Sequence, residues 1–203
     1  VLVRMGCKLI VVACNTATTN AISELRSKFD IPIIGIEPAV KPAALKSTSK
    51  SIGILATKGT FSSILFSKTS TKYSKNISMM EVVGEGLVPL IEAGKIKSKE
   101  MTQLLLKYTK PMIEADIDYL VLGCSHYPYL IPELKKILPA HIGILHSGEA
   151  VAKHTESTLA SMNLLQDEEK QPSLQFYTNT EVSTLQYLLR DYSENITVRI
   201  KDF

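Results

Sequence analysis

The stretch LIVVACNTATTN, residues 9–20, decides how the rest of the chain is read. A run of aliphatics ends on Cys14, and Asn15, Thr16, Ala17, Thr18 and Thr19 follow at once. YLVLGCSHYP, residues 119–128, repeats the form: an apolar run, a small residue, Cys124, then Ser125 and His126. Short, continuous apolar runs of this kind mark strands buried inside a parallel sheet, with neighbours on both sides. Each cysteine then stands at a strand's carboxyl end, where open α/β sheets bind their ligands.

Working outward, strand patterns alternate with helical ones. VLVRMG, at the start, reads as a last helical turn with its stop at Gly6. The strand over residues 8–13 leads into a helix around 17–29, with Ile22, Leu25 and Phe29 on one stripe and Asn15 or Thr16 as its cap. IPIIGI (31–36) is the next strand, and the two prolines of EPAVKPAAL mark a crossover or hinge. Further strands are expected at SIGILA (51–56), ISMMEVV (77–83), DYLVLG (118–123), HIGILH (141–146), LQFYTN (174–179) and ITVRI (196–200). Helices are expected from Ser98, with Pro111 kinking or splitting it, near 132–138, over 149–165, and over 180–192 capped by Thr180; residues 167–173 form a polar loop. This alternation predicts an α/β fold with mainly parallel sheets, and the two cysteine segments suggest two similar lobes.

Composition narrows the class. The 203 residues, 45% hydrophobic and 21% charged, suit a globular chain of one large domain or two small lobes. The net charge of +3 is spread thinly, which speaks against nucleic acid as a partner. No apolar run approaches the roughly 20 residues of a membrane span, and no secretory leader is evident. Three cysteines form no disulfide framework, so a cytoplasmic setting is expected. A helix end followed by a central strand is an unusual way for a domain to begin, and further sequence is expected upstream of Val1.

The residues themselves leave four readings of Cys14 and Cys124 open. They can be buried small hydrophobes. They can be metal ligands, although Cys-x-His at 124–126 lacks the paired spacing of zinc sites and His141, His146 and His154 are scattered. They can form a transient redox disulfide. Or they can be two acid/base thiols. A thiol titrates near about 8.5, and a helix N-terminus or a cation lowers that. Two thiols facing one carbon acid would remove a proton from one face and return one to the other, without a cofactor.

ACNTAT (13–18) and LGCSHYP (122–128) resemble the two signature segments of the cofactor-independent glutamate racemases, in the aspartate/glutamate racemase superfamily. The likeness continues through GIEPAVKPA (35–43), ILATKGT (54–60), LVPLIEAG (87–94) and HSGEAVA (146–152). The resemblance implies two flavodoxin-like lobes with the active site in the cleft between them. Residues 1–38 with 148–203 would form a discontinuous first lobe, and 39–147 the second. Cys14 and Cys124 would be the two proton donors and acceptors, with His126 and the acidic Glu92 assisting Cys124. Asn15, Thr16, Thr57, Thr60, Ser125 and His126 would bind substrate. No cofactor and no metal are implied. The partner is glutamate, the product D-glutamate would feed peptidoglycan synthesis, and family members are often homodimers.

Four features depart from the family pattern. Its Asp-Ser-Gly and Pro-Tyr-Gly motifs should lie upstream of Val1. Ser125 stands for the commoner Thr, His146 for an Asp before Ser147, and Gly84 for a frequent further cysteine. Related aspartate racemases carry an acidic residue where His126 stands. The alternatives to a glutamate racemase are therefore a sibling acting on aspartate or another amino acid, and a binding module that has kept the cleft.

Overall fold

The computed structural model describes residues 1–166, 173–191 and 196–202. Most of the expected polar loop 167–173, and Tyr192 at the end of the expected last helix, lie outside the described residues.

The chain opens in a single turn. Gly6 N–H donates to Val3 and Cys7 N–H to Leu2, with Gly6 at φ +78. This is the Schellman pattern of a helix end, which the left-handed backbone of glycine allows. Strand β1 (Ile10–Val12), helix α1 (Asn15–Lys28) and strand β2 (Ile33–Gly35) follow as one βαβ unit, with the strands parallel. Thr18 fastens the unit: its hydroxyl donates to Val12 O at 2.9 Å and accepts from Ile36 N–H at 3.0 Å.

Among the described residues β1 pairs with β2, and Val11 is 36% exposed. One expectation is corrected here. Phe29, expected on the buried stripe, follows the last helical residue and is exposed, whereas Ile22 is buried.

The central part is one sheet with helices on both faces. Its elements are α2 (Val40–Lys46), β3 (Ser51–Ala56), α3 (Lys58–Phe61), α4 (Ile64–Tyr73), β4 (Ser78–Val83), α5 (Leu87–Glu92), α6 (Lys99–Glu114), β5 (Tyr119–Gly123), α7 (Ile131–Ile137) and β6 (Gly143–Leu145). Turns of 3-10 helix at Ser74–Asn76 and Tyr127–Leu130 join them. The order is β4-β3-β5-β6, all parallel. That is the flavodoxin-like arrangement, in which the chain's direction of travel reverses between β3 and β5.

Side chains alternate across this sheet as strand geometry requires. Ile52, Ile54 and Val121 face Val40, Ala43 and Phe66, whereas Leu55, Leu120 and Leu122 face Leu87, Met101, Leu105 and Met112. The stripe Met101, Leu105, Tyr108 and Met112 is buried along α6, which runs through Pro111 as one helix rather than splitting there. Packing on both sides of the proline outweighs the hydrogen bond it cannot make. The helices α2, α3, α4 and α5 were not anticipated. In α5 the signals are present: Leu87, Leu90 and Ile91 at helical spacing, with Gly94 just beyond.

The last part holds α8 (Gly148–Ser161), β7 (Leu174–Thr178), α9 (Val182–Leu188) and β8 (Ile196–Ile200), with β7 and β8 parallel. Helix α9 is preceded by Glu181, without a side-chain cap, while the expected cap Thr180 pairs its hydroxyl with Thr178.

At the sheet edge remote from the strands' carboxyl ends, Asp118 ties two loops together. Its Oδ2 accepts from the amides of Thr48 and Ser49 and from the Thr48 hydroxyl. Burial alone would raise this carboxyl, but the Ser49 amide, the Ser47 side chain and the Thr48 donors outweigh it and hold it at about 2. An acid held lower in the folded than in the unfolded chain adds stability above its unfolded value of roughly 3.9, and that stability is lost as pH falls toward the folded one. Asp118→Asn is expected to lower unfolding free energy by about 1–3 kcal/mol at neutral pH. In urea midpoints measured from pH 5 to pH 2, it should also flatten part of the acid loss.

Candidate active site

Cys14 is itself the cap of α1. Its backbone is extended (φ −116, ψ 121), and its thiol accepts from Ala17 N–H at 3.5 Å. Asn15 and Thr16, the expected caps, already belong to the helix. The sulfur therefore sits at the positive end of a 14-residue helix, is solvent-exposed, and leads a turn in which Asn15 is buried.

Thr16 reaches across to the segment after β3. Its Oγ1 lies 2.8 Å from that of Thr57 and 3.2 Å from that of Thr60, and these two are 3.1 Å apart. Thr57 caps α3 by accepting from Thr60 N–H at 3.3 Å, and Thr60 is fully buried. The approach is close enough that a Cβ on Gly59 would come within 2.7 Å of Thr16 Cγ2.

The register of the central sheet places the second half. Ala56 pairs with Gly123, so Thr57 and Cys124 leave neighbouring strands side by side at the point where the topology switches. Cys124 is only 9% exposed. His126 Nδ1 lies 4.0 Å from its sulfur, and His126 Nε2 lies 3.0 Å from Glu92 Oε1 at the end of α5. An ionised carboxylate only accepts, so Nε2 carries hydrogen in this contact and Nδ1 faces the thiol.

Burial pushes the Cys124 thiol up. The His126 amide draws it down, Cys14 pushes it up, the Tyr127 amide draws it down and Glu92 pushes it up, leaving it above the ordinary thiol value. Thr16, two residues past Cys14, touches Thr57, which leaves the strand beside that of Cys124, so both thiol segments border one crevice.

The nine residues singled out from sequence thus fall into groups. Cys124, His126 and Glu92 form one chain of contacts, and Thr16, Thr57 and Thr60 form another. Cys14 adjoins the second group in sequence. The side chains of buried Asn15 and exposed Ser125 enter neither set of hydrogen bonds.

Tyr127 was missed from sequence. It is fully buried and donates its hydroxyl to Gly84 O at 3.1 Å, anchoring the turn that carries Cys124. A Cβ on Gly84 would lie 2.4 Å from that hydroxyl. His146 accepts from Gly148 N–H at the start of α8.

The profile of Asp/Glu/Hydantoin racemases matches residues 2–155. The chain belongs to this family. It is 43% identical over 163 residues to the glutamate racemase of Ralstonia pickettii, an alignment covering 80% of this chain and 58% of that one. Among solved structures, a glutamate racemase isoform of Bacillus anthracis aligns with TM-score 0.86 at 29% identity, covering 100% of this chain and 76% of that one. The Escherichia coli glutamate racemase, solved with L-glutamate and the activator UDP-MurNAc-Ala, aligns with TM-score 0.82 at 28% identity, covering 98% and 76%. The chain therefore spans 58% of the length of the Ralstonia relative and about three-quarters of these two solved racemases. Within this racemase family, the α/β architecture with parallel strands expected from the sequence is the one observed.

The Thr16 contact gives a direct check. Gly59→Ala forces a methyl into Thr16 and is expected to cost about 1–3 kcal/mol. A thermal melt should register it, and the double variant Gly59→Ala, Thr16→Ser, which removes the opposing methyl, should recover most of the loss.

Proposed function

We propose that this chain carries the site of a glutamate racemase that interconverts L- and D-glutamate through Cys14 and Cys124. The observation that carries the reading is the pair of strand-end thiols bordering one crevice, its two sides joined by the Thr16–Thr57 contact, with one thiol capping α1 and the other backed by His126 and Glu92. The likeness to curated glutamate racemases supports glutamate over other amino acids.

In this reading residues 1–38 with 148–203 and residues 39–147 are two lobes, and glutamate lies in the cleft between the thiols. One thiolate takes the α-hydrogen as a proton, and the electron pair left on carbon delocalises into the adjacent carboxylate. The opposite thiol donates its proton to the other face. Each turnover leaves the two sulfurs with exchanged protonation states, so the reverse reaction uses the same groups in swapped roles. No redox change occurs and no cofactor or metal takes part.

The environments of the two thiols suit this division. The raised Cys124 rests as a thiol, ready to donate. To act as base it must first lose its proton, and His126 Nδ1 is the adjacent acceptor, with Glu92 stabilising the imidazolium that results. The α1 amides, Asn15, and the Thr16, Thr57 and Thr60 hydroxyls would hold the substrate carboxylates, and Ser125 with His126 would bind on the second side. The hydroxyls, which bond to each other in this structure, would exchange those bonds for a carboxylate. The resemblance extends the proposal to a cytoplasmic enzyme, to D-glutamate as a supply for peptidoglycan synthesis, and to a homodimer.

The test is turnover in deuterated water. The chain should introduce deuterium at the α-carbon of both glutamate enantiomers, and Cys14→Ala and Cys124→Ala should each abolish racemization. His126→Asn should lower kcat by about 10- to 100-fold. Full activity in either cysteine variant would refute the two-thiol mechanism. Loss of optical rotation with aspartate alone would make this an aspartate racemase, and glutamate binding without exchange would make it a binding module.

A further inference from the structure

Glu92 is an exposed carboxylate, 47% accessible at its side chain, yet it must meet His126 Nε2 at 3.0 Å for the pair to serve Cys124. Burial does not hold it, so the positions of its backbone and of the histidine's must. Both backbones are tied to one helix from a distant part of the chain. Helix α5 ends in a Schellman turn, with Gly94 N–H donating to Ile91 and Lys95 N–H to Leu90, and Gly94 sits at φ +72. On that turn lies Tyr187 of α9: its hydroxyl donates to Gly94 O at 3.2 Å, and a Cβ on Gly94 would be 3.2 Å from its ring.

On the other side, Tyr129 N–H donates to the carbonyl of His126, and its hydroxyl donates to Leu188 O in the same helix, at 3.2 Å. Arg190 lies 4.2 Å over the Tyr187 ring and donates to the Tyr187 carbonyl, which fixes the ring's orientation. Leu188 packs against the core that contains Cys124 and Tyr127.

We propose that α9 is a brace and Tyr187 a positioning residue, holding the Glu92 turn and the His126 turn at the separation that lets the two side chains pair beside Cys124. This rests on the two-thiol reading above. Helix α9 lies outside residues 39–147, in the lobe assigned to Cys14, so the same contacts make the Cys124 relay depend on how the two lobes are seated. A shift of about 1 Å at such a pair is enough to cost a large factor in rate.

The experiment uses the full chain, with Tyr187→Ala, Tyr187→Phe and Tyr129→Phe. Alkylation of Cys14 and of Cys124 by iodoacetamide is followed separately by mass spectrometry between pH 6 and pH 10, and kcat and KM for glutamate are measured on the same samples. The groups that face Cys124 in this titration are Cys14, His126, Glu92 and Tyr127. In Tyr187→Ala, the pH at half-maximal alkylation of Cys124 should fall, because the Glu92 carboxylate that pushes this thiol up is no longer held beside it. The corresponding value for Cys14 should not move. Where racemization is present, kcat should fall about five- to tenfold with KM within about twofold. Tyr187→Phe, which keeps the ring on Gly94, should recover part of both effects, and Tyr129→Phe, which frees the His126 turn, should also move the Cys124 midpoint and leave that of Cys14 in place.

An unchanged or raised Cys124 midpoint in Tyr187→Ala overturns the proposal, as does an equal change at both cysteines. If Tyr187→Ala fails to fold, Tyr187→Phe and Tyr129→Phe decide alone: no Cys124-specific shift in either rejects the brace. A parent chain that alkylates normally but does not racemize glutamate defeats the proposed function, and the alkylation results still judge the brace.

Discussion

The site depends on one constraint, the parallel register of β3 against β5. Ala56 opposite Gly123 makes Thr57 and Cys124 the first residues out of two adjacent strands. Parallel strands bring like ends together, so both segments leave on the same edge. The order β4-β3-β5-β6 sends the chain to opposite sides of the sheet after β3 and after β5, which opens a crevice between them. Cys124 inherits low exposure from the packed strand behind it, while Thr57 turns into a cap. The Tyr127 hydroxyl on Gly84 then holds the turn after Cys124 in place.

The other thiol is brought in by a βαβ unit that touches this crevice through very small groups. Thr16 meets Thr57 and Thr60, and Gly59 is the only kind of residue that leaves room for the approach. A second tie lies where the chain crosses between the proposed lobes, as the Ser147 hydroxyl donates to Glu37 O. Together these contacts seat the segment that carries Cys14 on the crevice that holds Cys124. The two thiols are alike in sequence context but unlike in surroundings. One is exposed on a helix end, and the other is buried and backed by an imidazole and a carboxylate. Chemistry that runs in both directions can tolerate this asymmetry, provided each sulfur has its own way of exchanging a proton.

Much of this was readable along the chain because it is local. The apolar runs of residues 51–56 and 119–123 could only be strands, and the polar residues after them had to mark strand ends. The family resemblance then singled out Glu92, whose own surroundings in sequence carry no such signal. The cap of α1 was misplaced by one residue, because a thiol is a weak acceptor and Asn or Thr is the stronger expectation.

By itself, then, the sequence determined the alternating α/β pattern, the two cysteines at strand ends, and membership of a racemase family. These follow from periodicity and short motifs, which need no knowledge of distant contacts. Only the tertiary structure decided that Thr16 pairs with Thr57 and Thr60, that Glu92 meets His126, and that Tyr129 and Tyr187 tie both turns to α9. Each of these joins residues more than 30 positions apart, through a pair of hydroxyls, a carboxylate with an imidazole, or a phenol hydroxyl donating to a backbone carbonyl. Such groups satisfy their hydrogen bonds equally well in water, so nothing local forces the pairing; it is the packing of strands and helices that brings them within reach.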